Sequence, residues 1–191
     1  MDVRTTSLQG VLVLKPRRFV DERGFLVESY AERPFREAGI TAKFVQDNHS
    51  CSLRQGTIRG LHFQLPPAAQ AKLVRVIRGW VYDVAVDLRR GSPTYGQWVA
   101  ERLSAKGGEQ IYLPQGFAHG FCTLEPDTEV IYKVDSYYAP AHDSGIIWND
   151  PTLNIPWPIA ADAAILSEKD RKLGTFAEFT SPFQYGEVVN A

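Results

Sequence analysis

Two histidines raise the question of chemistry. His62 stands in TIRGLHFQ (57–64), between Leu61 and Phe63, three residues after Arg59 and two after Gly60. His119 stands in LPQGFAHGF (113–121), where Pro114 and Gly116 shape a turn and the histidine opens the strand that follows. Imidazole titrates near neutrality, so a histidine in a pocket is a natural base. Alone in an apolar strand it is more simply a core residue, and His62 needs companions before it counts as more. Those on offer are His119, Lys72, Arg59, Arg23 and Tyr132, with carboxylates at Glu28, Asp83 and Asp170. Cations outnumber anions in this set, which suits an anionic ligand, and arginine forks suit phosphate oxygens. A base, a phenol and cations around a developing oxyanion are the parts needed to remove a proton α to a carbonyl and return one to the other face.

Strands must position these groups. GVLVLKP, GFLVESY, KFVQDNH, TIRGLHFQ, KLVRVI, WVYDVAVDL, QWVAERL, EQIYLP, HGFCTL and EVIYKVDSYY are short, rich in Val, Ile, Phe and Tyr, and bounded by Gly, Pro, Asp or Ser. About ten such runs predict an all-β sandwich or barrel. IRGW (77–80) reads as a tight hairpin joining two of them. Helical pattern is scarce: ERPFREAG, stopped by Gly39, and SEKDRKL near the C-terminus. WNDPTLNIPWPIAADAA (148–164) is proline-rich and reads as irregular chain wrapping the barrel. With no repeat or linker, the span 1–191 reads as one domain.

Alternation sorts the faces. Lys72, Val74 and Val76 share one; Asp83, Ala85 and Asp87 share another, a pair of carboxylates that fits a cavity wall as well as acid–base work; Tyr132 lies with Val130 and Val134. Ideal alternation puts Arg59 opposite His62, but a bulge at Gly60 would bring both into one cavity.

The chain has 191 residues and a formal net charge of −1, with no long run of one sign. That disfavours nucleic acid and anionic membrane surfaces as partners. No apolar run has the length of a membrane span, and MDVRTTSLQG has no apolar signal core. Cys51 and Cys122 have no metal-type spacing and read as inert, buried thiols in a reducing cytoplasm. His49 and His142 lack chemical companions, and Trp80, Trp98, Trp148 and Trp157 read as core or interface aromatics.

GLHFQ together with the P-x-G-x-x-H of Pro114, Gly116 and His119 resembles the two motifs of the cupin superfamily, small jelly-roll barrels. In metal-binding cupins the first motif supplies a His-x-His pair and a carboxylate. Here Gln64 stands for the second histidine and the basic Lys72 lies downstream, a poor donor set for a transition metal. No metal and no cofactor are expected.

A longer ordered set is more specific: DERGFLVESY, FVQDNHS, IRGLHFQ, KLVRVIRGWVYDVAVDLR, GSPTYGQWV, IYLPQGFAHGF, YKVDSYYAP, WNDP and LSEKD. Running from about Asp21 to Asp170, it resembles the dTDP-4-dehydrorhamnose 3,5-epimerases. The resemblance implies a jelly-roll barrel, a metal-independent epimerisation of a nucleotide-linked 4-keto-6-deoxyhexose, and a homodimer that exchanges strands. It implies a base at His62, an acid at Tyr132 and an orienting carboxylate at Asp170. Lys72, His119 and Arg59 fall around the sugar and diphosphate. Arg23, Glu28, Gln46, Asp47, Asn48 and Lys169 fall on positions that hold the nucleotide, and Tyr138 on an aromatic that stacks on its base. Asp143 replaces a frequent glutamate, so its shorter reach puts that contact in question.

Simpler readings stand beside these. Ser167-x-x-Asp170 is a capping-box spacing. Tyr132 reads equally as a core tyrosine, and Arg23 as a turn residue in a weak ion pair. A single-site C3 or C5 epimerase and a 3,4-ketoisomerase stay open within the barrel. A metal-dependent cupin oxygenase and a non-catalytic sugar-nucleotide binding module stay open outside it.

Overall fold

In the computed structural model residues 1–186 are described; 187–191, the end of the expected single-domain span, lie outside them. The strands are β1 (Asp2–Thr5), β2 (Leu12–Lys15), β3 (Arg18–Asp21), β4 (Gly24–Val27), β5 (Gln46–Ser52), β6 (Ile58–Gln64) and β7 (Lys72–Arg78). They continue with β8 (Trp80–Asp87), β9 (Trp98–Ser104), β10 (Gln110–Leu113), β11 (Phe117–Thr123), β12 (Thr128–Val134) and β13 (Asp143–Gly145). A single α-helix among the described residues, α1 (Glu32–Glu37), ends before Gly39, whose N–H donates to the Arg36 carbonyl from a left-handed conformation (φ +91°). SEKDRKL forms only a 3-10 turn, Asp170–Lys172.

Two antiparallel sheets face each other as a jelly-roll barrel, one in the order β1-β2-β10-β7-β12-β5 and one in the order β13-β6-β11-β8-β9. Between them Val74, Val76, Val81, Ala85, Ile111, Phe117, Phe121 and Val130 form a buried core. Each Val, Ile or Phe among them contributes about 1.5–3 kcal/mol by leaving water. Outside the first sheet, α1 presses Phe35 onto Leu14, Leu73 and Tyr112. Outside the second, the proline-rich segment covers Leu61, Phe63, Val84 and Val86 with Trp148, Leu153, Ile155 and Trp157. The alternation read for β7, β8 and β12 therefore sorts inward from outward faces: Val74, Val76, Ala85 and Val130 point between the sheets, and Val84 and Val86 point away.

IRGW is not a hairpin. β7 and β8 lie in different sheets, and the chain crosses between them at Gly79 (φ +76°). A tight turn in sequence does not reveal whether the second strand pairs with the first or folds across the barrel. Three strands escape the sequence pattern, for physical reasons. β1 is exposed throughout, β3 belongs to an arm exposed on both faces, and β13 (DSG) carries no large apolar residue. β3 and β4 form a hairpin apart from both sheets, with Phe19, Val20, Phe25 and Leu26 all exposed.

Candidate active site

The site is built on β6. His119 pairs with His62 and Phe121 with Arg59 across β11, so Gly120 alone faces both Gly60 and Leu61. This is the bulge anticipated at Gly60. Its φ is +130°, and a Cβ there would lie 2.5 Å from the Gly120 Cα and 2.8 Å from the His119 carbonyl. Only glycine fits. The extra residue turns Arg59 to the same cavity as His62 while Leu61 and Phe63 stay in the core.

That cavity, about 380 Å³, is lined by Arg59, His62, Lys72, His119, Tyr132 and Asp170, with Ser167 and Lys169 at its edge among others. A second hollow of about 250 Å³ shares His62, Lys72, Tyr132 and Lys169 with it and adds Gln46, Asn48, Tyr138 and Asp143. The two form one groove that meets at His62, Lys72, Tyr132 and Lys169, with Arg59 and His119 in the first hollow and Tyr138 in the second.

His62 Nε2 lies 2.5 Å from Asp170 Oδ1. The Asp170 side chain is 4% exposed and that of His62 29%. Burial opposes the charge of Asp170. The His62 hydrogen bond and charge, the Ser167 hydroxyl and the nearby Lys169 outweigh it and hold the carboxyl below its ordinary range. With Nε2 donating to Asp170, Nδ1 is the ring nitrogen left with a free lone pair. The capping reading of Asp170 is half right: its backbone N–H donates to Ser167 Oγ at 3.0 Å, but its carboxylate turns to His62.

Lys72 is buried and donates to the His62 carbonyl at 3.3 Å. Burial pushes its ammonium down to about 8, against the pull of Asp143 and Asp83. Tyr132 has its phenol raised, chiefly by burial, with Arg59 working the other way. Arg59 donates to Ser52 Oγ at 3.2 Å and to the Cys51 carbonyl at 3.0 Å, contacts that aim the guanidinium and, among the described residues, leave its charge without a carboxylate partner. His119 Nε2 meets both oxygens of Asp83, at 3.0 and 2.9 Å, in full burial. Alternation placed Asp83 on the inner face, but the match with His119 depends on β8 lying beside β11, which no single strand reveals. The second carboxylate of that face, Asp87, is bound instead by Arg89, Ser92 and Thr94.

At the other end Asp143 accepts from the Tyr138 hydroxyl at 2.9 Å and from Lys169, and the Tyr138 N–H donates to Gln46 Oε1 at 3.0 Å. The shorter aspartate therefore does reach neighbouring side chains. Gln64 is committed to backbone: it donates to the Ala68 and Tyr137 carbonyls and accepts from the Ala139 N–H. Among the described residues no three His, Cys, Asp or Glu side chains gather as metal ligands.

Three candidates lie elsewhere. Gln46, Asn48 and Ser50 face the groove, so alternation sends Asp47 to the opposite face of β5, where it pairs with Lys133. Arg23 sits on the β3–β4 arm, 85% exposed, paired with Asp21 in the turn; Glu28, just past the arm, is exposed as well. Neither lines the groove. Cys51 is exposed rather than buried, because it shares the outward face of β5 with Asp47 and His49; Cys122 is buried as expected. His49 pairs with Glu129 on that surface.

The family model of dTDP-4-dehydrorhamnose 3,5-epimerase matches residues 5–178. A dTDP-4-dehydrorhamnose 3,5-epimerase of Pseudomonas aeruginosa is 53% identical over 93% of this chain and 97% of its own. The crystal structure of a dTDP-4-dehydrorhamnose 3,5-epimerase from Bacillus anthracis, with TDP and PPi bound, superposes with a TM-score of 0.89 at 53% identity, covering 91% of this chain and 98% of that one. A dTDP-6-deoxy-D-glucose-3,5-epimerase from Legionella pneumophila, in complex with dTDP-4-keto-L-rhamnose, gives 0.92 at 40% identity, covering 97% and 99%. The chain belongs to the dTDP-4-dehydrorhamnose 3,5-epimerase family.

Proposed function

We propose that the groove inverts C3 and C5 of dTDP-4-dehydro-6-deoxy-D-glucose to give dTDP-4-dehydro-L-rhamnose, with the following division of labour. The C4 ketone acidifies both neighbouring carbons. His62, oriented through Nε2 by Asp170, takes each proton in turn on Nδ1. The Lys72 ammonium and His119 stabilise the enolate oxygen that forms. Tyr132 delivers a proton to the opposite face of the carbanion, and each inversion ends with one proton lost and one gained. Arg59 and Lys169 take the diphosphate, and Tyr138 stacks on the base, with Gln46, Asn48 and Asp143 around the nucleoside. No metal or cofactor enters this scheme.

The observation that carries the reading is the meeting of the His62–Asp170 pair, the Tyr132 phenol and the buried Lys72 in one groove. The presence of Tyr132 favours epimerisation over a 3,4-ketoisomerase, which needs no donor on the opposite face. The exposed apolar arm with Arg23 supports a homodimer in which each arm crosses to its partner and brings Arg23 and Glu28 to the other groove. In this reading residues 1–191 act as one domain, and the free thiols suit a reducing cytoplasm. No helix among the described residues is long and apolar enough to cross a membrane.

The test is solvent exchange. The protein is incubated with dTDP-4-keto-6-deoxyglucose in D₂O without a reductase, and the sugar is followed by NMR. Deuterium at both C3 and C5 is expected. Deuterium at one carbon would mean a single-site epimerase or an isomerase, separated by the position of the ketone. None at either would refute epimerisation. Tyr132→Phe is expected to keep abstraction and lose inversion; full inversion at both centres would refute the acid assignment.

A further inference from the structure

Asp170 comes from an irregular stretch of chain, so contacts outside the sheets must hold its carboxylate against His62. The Ile58 N–H donates to the Ile165 carbonyl at 2.9 Å and the Ile165 N–H to the Gly56 carbonyl at 3.0 Å, which lays the incoming chain along the start of β6. Two residues later Ser167 Oγ accepts the Asp170 N–H at 3.0 Å, and the Ser167 carbonyl accepts the Arg171 N–H at 3.1 Å. Ser167 is exposed and lines the cavity that holds His62.

A complete capping box would turn the Asp170 carboxylate back to the Ser167 N–H. Here only the serine half is made, and the carboxylate reaches His62 instead. The serine hydrogen bond fixes the backbone of the turn, and a fixed backbone aims the side chain. Without it the turn has one restraint fewer, and the 2.5 Å contact has to be held by the aspartate alone.

We propose that Ser167 is a positioning residue for the reaction: by accepting the Asp170 N–H it holds the turn in which the Asp170 carboxylate is free to orient His62. It acts through Asp170 and not on the sugar. The proposal rests on the dyad reading given above, and the experiment separates the failure of one from the failure of the other.

Wild type, Ser167→Ala, Ser167→Thr, Asp170→Asn and the double variant Ser167→Ala/Asp170→Asn are compared by steady-state kinetics. The low-field ring N–H signal of His62 is followed by NMR in the free proteins. Ser167→Ala is expected to lower kcat about tenfold, the effect of about 1.4 kcal/mol, which is the scale of a lost N-cap. KM should stay within about twofold, and the His62 N–H signal should broaden by exchange with water. Threonine keeps the acceptor and should restore both. In the Asp170→Asn background the alanine change should add nothing, since both act through one carboxylate.

A wild-type kcat and an intact His62 signal in Ser167→Ala would overturn the proposal. So would a rise in KM alone, which would make Ser167 a ligand contact, or a further tenfold loss in the double variant. Full activity in Asp170→Asn would overturn the dyad reading itself, and the proposal with it.

Discussion

The molecule carries two histidine–aspartate pairs within one pocket, and they are built differently. His119 and Asp83 come from neighbouring strands, β11 and β8, and their side chains are 7% and 0% exposed. His62 and Asp170 join a strand to an irregular turn, and the His62 side chain is 29% exposed. The first pair is anchored: both carboxylate oxygens meet one imidazole nitrogen and the strands fix its position, so His119 meets the developing enolate from a rigid wall of the cavity. The second is a working pair, with a ring nitrogen open to the cavity and a partner that holds the other. The comparison teaches that the same two residue types become an anchored electrostatic wall or an accessible base according to burial and to the element that carries the acid.

The largest expected effect lies on the working pair. Asp170→Asn should lower kcat by about 10²–10³, within the range of general acid–base catalysis, while its urea midpoint moves little. Asp83→Asn should do the reverse in proportion. It weakens the buried hydrogen bonds that hold the His119 ring and should cost about 2 kcal/mol in urea unfolding, the scale of a hydrogen bond to a charged group. If the two variants lose stability and activity in the same ratio, the distinction between them fails.

Next comes Lys72, which stands between the pairs. Its ammonium sits near 8 when buried, so the charge offered to the enolate is present below that pH and lost above it. The kcat/KM profile, which reports the free enzyme, should fall above about pH 8. Lys72→Met should lower the plateau and remove that limb. A limb of unchanged position in the variant would assign it to another group.

The smallest effect is on acid stability. The folded Asp170 carboxyl lies below its ordinary range, so its contribution is complete above the unfolded value of about 3.9 and is lost as pH falls through the lower folded value. Asp170→Asn should therefore lose less stability than wild type on acidification below about pH 4. Chemical denaturation at a series of pH values checks the sign.

Much of this site was legible because β-structure alternates. The inward faces of Lys72, Asp83 and Tyr132 follow from period two alone, and Gly60 marked the bulge that turns Arg59 toward His62. The same rule corrects one reading. Gln46, Asp47 and Asn48 cannot all face one groove, and carrying three consecutive residues together hid that Asp47 points outward. What one strand does not contain is its neighbour. The Asp83–His119 contact, the crossing at Gly79 and the strand pairing of Asp143–Gly145 depend on which segments lie side by side. Arg23 fails to reach its own groove for a different reason. It sits on an arm whose apolar side chains stay exposed, away from both sheets, and where such an arm lies relative to the groove cannot be seen in a local pattern.

The most direct measurement compares His62→Asn with His119→Asn for deuterium entry at C3 and C5 of the 4-keto sugar in D₂O. The expected result is that His62→Asn abolishes entry at both carbons, whereas His119→Asn slows both and abolishes neither. Exchange at the wild-type rate in His62→Asn, or loss of exchange only in His119→Asn, would contradict the assignment of His62 as the base.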